Sequence, residues 1–143
     1  MMEFVDNLLC LAPILIIIMW VPLLLLASRT SGWSRLAGYY QFHSEFVGQK
    51  WRPRFRYVYL GSGRYGNTLT IGANYHGLYL AMSSLFEFGH PSLLIPWKDI
   101  TTAEHKGLIF SYLDFTFALE PTVKLRVPRK LGDEILAVRY GPT

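Results

Sequence analysis

Cysteine is nearly absent. The 143 residues hold only Cys10, so no intramolecular disulfide framework is available to the fold. Basic residues are missing from the first 28 positions, where the charges are Glu3 and Asp6. A cleaved secretory signal opens with positive charge ahead of an apolar stretch of about 7–15 residues, and this chain begins otherwise. Closely paired histidines are also lacking. His43, His76, His90 and His105 are scattered, with no cysteine among them, which argues against a zinc site. No Gly-x-Ser-x-Gly motif occurs, and the carboxylates of Glu87, Asp99 and Glu104 are spaced as turn residues rather than as a pair. Nothing assembles into a catalytic centre. The expectation is a non-enzyme that needs neither cofactor nor metal. Internal repeats and low-complexity segments are absent too.

What the chain does have is an uncharged run of twenty residues, Leu8 to Ala27. As a helix such a run spans about 30 Å, the thickness of a bilayer's hydrocarbon core. Pro13 and Pro22 lie within it and are compatible with a membrane helix. Its length and its acidic N-terminal flank favour an uncleaved anchor over a signal peptide. Positive charge begins only beyond it, with Arg29 and Arg35. The positive-inside rule then places the N-terminus outside and the rest in the cytoplasm, as a single-pass protein of the cell (inner) membrane. The division expected is a tail at 1–7, a transmembrane helix at 8–28, an amphipathic and basic juxtamembrane segment at 29–53, and a β domain at 54–140.

After the run, Trp33, Leu36, Ala37 and Tyr40 fall at helical spacing. This piece either lies at the headgroup level or packs on the domain as an ordinary amphipathic helix. Further on the period becomes two. Thr68 to Ile71, Gly77 to Leu80 after an Asn74–Gly77 turn, Leu93 to Pro96, Leu108 to Leu119 and Thr122 to Val127 read as strands. In the fourth, Leu113, Phe115, Phe117 and Leu119 should share one face. In the last, Val123, Leu125 and Val127 point one way and Lys124 and Arg126 the other. Leu131, Ile135 and Val138 mark a short closing helix. The expected core is Leu78, Leu80, Ile95, Trp97, Phe115, Phe117, Val123 and Leu125.

Gly77-Leu78-Tyr79-Leu80 followed by Leu93-Leu94-Ile95-Pro96-Trp97-Lys98-Asp99-Ile100 resembles bacterial PH-like and GRAM-like domains. In these a "gly-φ-tyr-φ" strand precedes one reading "φ-φ-Ile-Pro-x-x-Asp-Ile". The resemblance covers roughly Arg54 to Val138. It implies a PH-like, mainly-β fold: a strongly bent, seven-stranded antiparallel barrel capped by a C-terminal helix. That fold is a platform for lipid or protein binding and implies no activity of its own.

Two motifs bear on binding. Gly61-Ser62-Gly63-Arg64-Tyr65-Gly66 matches Gly-x-Gly-x-x-Gly. A dinucleotide site would need a helix opening at the glycines, whereas Thr68 to Ile71 is strand-like, so the motif reads as a flexible hairpin loop. The second is Lys50-Trp51-Arg52-Pro53-Arg54-Phe55-Arg56-Tyr57. In an extended chain Lys50, Arg52, Arg54 and Arg56 point to one side and the apolar residues to the other. From Arg29 to Arg64 seven basic residues stand against Glu45, a net +6, while from Tyr65 onward seven stand against seven. With Arg35, the strip is the candidate contact for anionic lipid or an acidic protein partner, unless it is a solvated face that only signals topology. Nucleic acid is the remotest partner for a tethered chain. The rival role is an accessory or assembly subunit of a larger membrane complex.

Overall fold

The computed structural model describes residues 1–53, 58–65, 68–84, 87 and 89–140. The apolar run lies within one helix, α1 (Met2–Ser31), which takes in both prolines and the acidic tail. At 1.5 Å per residue it is about 45 Å long. It is long and apolar enough to cross a membrane, a description that a signal sequence near an N-terminus also meets. Gly32, at φ 93°, ends it in the left-handed conformation, as glycine often does after a helix. A Cβ there would meet Cγ2 of Val123 at 2.5 Å. The second helix, α2 (Trp33–Tyr40), starts at the next residue. Of the two placements open to it, the structure has it packed on the domain: Trp33, Leu36 and Tyr40 are buried.

The strands are β1 (Gln49–Trp51), β2 (Val58–Leu60), β3 (Gly63–Tyr65), β4 (Leu69–Ala73), β5 (Gly77–Met82), β6 (Leu93–Pro96), β7 (Ile100–Lys106), β8 (Ser111–Phe117) and β9 (Glu120–Pro128). They form two antiparallel sheets, in the orders β1-β4-β5-β6 and β3-β2-β9-β8-β7. A short helix, α3 (Arg129–Tyr140), closes the chain. The expected closed barrel does not form. Among the described residues no ladder joins the two sheets. The break between β6 and β7 falls at Pro96, which has no N–H to donate, and at a single 3-10 turn over Trp97–Asp99.

All eight expected core residues are buried. Alternation supplies them: on β9, Val123, Leu125 and Val127 are fully covered while Lys124 is exposed. The core also takes in Trp33, Leu36, Ile71 and Ile135, so α2 and α3 cover parts the sheets leave open. Trp97 sits at the corner. Its Nε1 donates to the Asn74 carbonyl at 2.8 Å, and the Arg139 guanidinium lies 5.6 Å from its ring centroid. The Asn74 turn is closed by its own side chain, which accepts from the N–H groups of His76 and Gly77.

The reading of Leu108 to Leu119 as one strand is corrected. β8 begins only at Ser111. Leu108, Ile109 and Phe110 lie exposed at the β7–β8 hairpin, closed by the Gly107 N–H donating to the Phe110 carbonyl. A register shift at Thr116/Phe117 ends the alternation, so Leu119 is exposed in the next turn and does not join Leu113, Phe115 and Phe117. On the outer face of this sheet Arg126 makes two hydrogen bonds to Asp114, at 2.8 and 3.0 Å, a geometry stronger than a single neutral bond.

Candidate functional site

β1 is short, but its pairing with β4 (Lys50 opposite Gly72, Trp51 opposite Ile71) fixes the parity of the basic strip. Trp51 packs against the core, and Lys50 and Arg52 are exposed on the outer face of the four-stranded sheet. Segment 41–48 crosses that face. Phe46 is buried there, stacked on Tyr79 with centroids 4.4 Å apart and planes 8° from parallel. This explains Gly72, whose Cβ would stand 2.6 Å from the Phe46 ring. Lys50 Nζ lies 5.9 Å from the Phe46 centroid and 6.0 Å from that of Tyr79, within cation–π range.

Beside this stack the sheet is open. A groove of about 520 Å³ is lined by Lys50, Arg52, Thr70, Tyr79, Ser83 and Ser84, with Ala81 and Met82 at its side. It offers two cationic side chains and four hydroxyls, a set suited to a phosphate or carboxylate group. Its place in the molecule is informative. Ser83 N–H donates to the Thr68 carbonyl at 2.8 Å, which marks the end of the sheet opposite the Asn74 turn. Five residues beyond Ser84, Gly89 lies against α1: a Cβ on it would be 2.9 Å from Leu25 and 3.4 Å from Ser28. The Ser28 hydroxyl donates to the Gly89 carbonyl. The groove therefore opens at the α1 end of the domain.

Glycines and small polar groups surround the last turn of α1. The Gly61-Ser62 turn between β2 and β3 meets it from one side. Ser62 Oγ donates to the Thr30 carbonyl at 2.7 Å, and the Tyr65 hydroxyl donates to Ser31 Oγ at 2.9 Å. Burial pushes the Tyr65 phenol above its ordinary value of 10.0, with the Ser31 bond acting the other way, so it stays a donor at neutral pH. Trp33 clusters with Tyr65 and the buried His90, with centroids 5.9 and 5.2 Å away, and those two rings lie 6.1 Å from each other. At the far end of α2 the Tyr40 hydroxyl donates to Asp99 at 3.2 Å and accepts from the Leu119 N–H at 3.1 Å. Burial is the main cause that raises its pKa.

Of the predicted site residues, the structure brings Lys50 and Arg52 into one groove. Arg54 and Arg56 lie outside the described residues. Arg35 is elsewhere, on α2, 3.9 Å from Glu120 and 3.5 Å from the Thr122 hydroxyl. The hydroxyls of Thr70, Tyr79, Ser83 and Ser84 were not legible as partners of the strip, because β4 and β5 meet β1 only through long-range pairing. Of the Gly-x-Gly-x-x-Gly motif, Gly61 and Gly63 belong to the β2–β3 hairpin and Gly66 is outside the described residues. Among the described residues no group of three or more His, Cys, Asp or Glu side chains is placed to hold a metal ion. Comparisons with protein-family models, curated proteins and solved structures found no match for this chain.

Proposed function

We propose that the chain is a single-pass protein of the cell (inner) membrane, anchored by α1, and that its β domain is a non-enzymatic, PH-like binding module for anionic lipid headgroups. The observation that carries this reading is the groove. Its two cations, Lys50 and Arg52, and its hydroxyls open at the end of the sheet from which α1 departs. The run of antiparallel strands closed by α3 supports the PH-like assignment.

Orientation follows from charge: acidic residues precede the apolar run and arginines follow it, so the N-terminus faces out. Protease added to intact cells is expected to leave 65–143 undigested, as followed with an antibody to that region. Its digestion from outside would reverse the topology.

The lipid contact is tested with the fragment 29–143, which keeps every residue of the core cluster. It is expected to float with vesicles containing phosphatidylglycerol and not with phosphatidylcholine alone. Raising salt from about 0.1 M to 1 M should weaken binding, since the Debye length falls from about 10 Å to 3 Å. Each basic side chain at an anionic surface contributes about 1 kcal/mol. The double change Lys50→Gln with Arg52→Gln should therefore lower affinity about 30-fold. A wild-type fragment indifferent to acidic vesicles at low salt would sink the proposal. That result would favour the second reading, an accessory subunit, for which the exposed Leu108 and Ile109 at the β7–β8 tip offer an apolar contact to a protein partner.

A further inference from the structure

We infer that the domain holds a second anionic phospholipid headgroup on its opposite face, in the cleft between β2 and β9 beside Lys124, so that α1 descends between two headgroup sites. The inference rests on α1 being the anchor, and not on the Lys50/Arg52 groove being occupied.

Depth comes first. The apolar run ends at Ala27, and Ser62 bonds the Thr30 carbonyl three residues further on. Three helical residues rise about 4.5 Å. The polar layer on each side of the hydrocarbon core is about 5–7 Å thick. The Gly61-Ser62 turn is therefore held at headgroup level whenever α1 spans the bilayer. It is held firmly, because Gly61 and Gly63 let the hairpin touch Ser31 directly.

The cleft begins at that turn. It has a volume of about 260 Å³ and is lined by Tyr59, Gly61, Thr122, Lys124 and Arg126. Gly61 N–H is already committed to the Lys124 carbonyl at 3.0 Å, which fixes Lys124 beside the turn. On β9 the neighbours Val123 and Leu125 point into the core, so Lys124 and Arg126 face out from the five-stranded sheet, on the side of the domain away from Lys50 and Arg52.

The charges that line the cleft, with Arg35 at its rim, fit one phosphodiester. Arg126 is matched by Asp114. Arg35, at the rim near Thr122, is loosely matched by Glu120 at 3.9 Å. Lys124 is exposed and has no ion-pair partner among the described residues. One uncompensated ammonium remains, next to the hydroxyls of Tyr59 and Thr122, and a phosphodiester headgroup brings one negative charge. From β9, beside the turn that holds the end of α1, the flexible stem of Lys124 also lets its ammonium reach the interface.

The test counts lipids kept by the full-length chain, purified in mild detergent with added phosphatidylglycerol and weighed by native mass spectrometry. Lys124→Gln is expected to retain one lipid fewer than wild type, Lys124→Arg to retain the wild-type number, and Lys50→Gln with Arg52→Gln also to retain one fewer. All three neutral changes together should leave none. Lys124 is exposed, so its replacement leaves the core untouched, and an unchanged circular dichroism spectrum checks this. If Lys124→Gln keeps every lipid, the second site is overturned while the groove stands. If Lys124→Gln loses one and the Lys50/Arg52 change loses none, the groove falls and the second site stands. Equal retention of phosphatidylcholine, or displacement of the Lys124-dependent lipid by inorganic phosphate, would show that the cleft does not select an anionic lipid, and would also overturn it.

Discussion

Replacing Trp33 by alanine is expected to destabilise the domain by about 3–5 kcal/mol, the usual cost of deleting a fully buried tryptophan. The side chain is 0% exposed. Its ring packs against both Tyr65 and His90, which also touch each other, and its Nε1 donates to the Pro91 carbonyl at 2.8 Å. Alanine would leave a cavity beside the Tyr65 and His90 rings and take the donor from the part-buried Pro91 carbonyl. Domains of this size are held by about 5–15 kcal/mol, so the loss is a large share of the total. The measurement is the denaturant midpoint of the fragment 29–143 with and without the change, at constant m-value. A difference under about 1 kcal/mol would mean that α2 is not part of the cooperative unit. Trp97→Ala should cost less than Trp33→Ala, because Trp97 keeps 9% of its surface in solvent and is covered on one side by the Arg139 guanidinium.

Trp33 also shows what could be read in advance. The spacing of Trp33, Leu36 and Tyr40 predicts a helix with one apolar face, because a helix turns every 3.6 residues whatever surrounds it. What covers that face is a long-range matter: Pro91, Tyr65 and His90 arrive from segments about thirty to sixty residues away. The same division runs through the sheets. Alternation in Thr122 to Val127 identifies inward residues correctly, since period two is a property of the strand itself. Whether the strands close into a barrel depends on hydrogen bonding between β6 and β7, and the turn at Pro96–Asp99 sends them into different sheets. Leu108 to Phe110 looked like strand because it is apolar. It is a hairpin tip because Gly107 and Phe110 close on each other. In the basic strip, parity put Lys50 and Arg52 on one side. It gave no sign that Phe46 would stack on Tyr79 across the face they share or that β4 and β5 would bring hydroxyls beside them, nor that Arg35 would stand beside Glu120 instead.

Gly61→Ala is expected to unseat α1 from the domain. Gly61 has φ 56°, where a residue with a side chain costs about 1–2 kcal/mol more than glycine. A Cβ at this position would also stand 2.0 Å from the Ser31 carbonyl oxygen and 3.0 Å from its carbon. Both are backbone atoms at the end of α1, and the next residue, Gly32, has no room for even a Cβ against Val123, so the helix end has little space to retreat. The relief left is for the β2–β3 turn to lift, which breaks the Ser62–Thr30 and Tyr65–Ser31 hydrogen bonds. With overpacking at about 1–3 kcal/mol, the joint loses about 2–5 kcal/mol in all. Cys10 is the chain's single cysteine and is exposed, so a spin label on it reports from α1. A second label at Glu134→Cys, exposed on α3, reports from the domain. The distance between them should be sharply distributed in the otherwise unaltered protein and broad in Gly61→Ala, as read by pulsed electron paramagnetic resonance in nanodiscs. Gly38→Ala serves as the control, because nothing lies within 4 Å of a Cβ at that position, and it should leave the distribution sharp. If Gly61→Ala leaves it sharp as well, the glycines of the β2–β3 turn do not seat the helix, and the depth assigned to Ser62 and the Lys124 cleft falls with them.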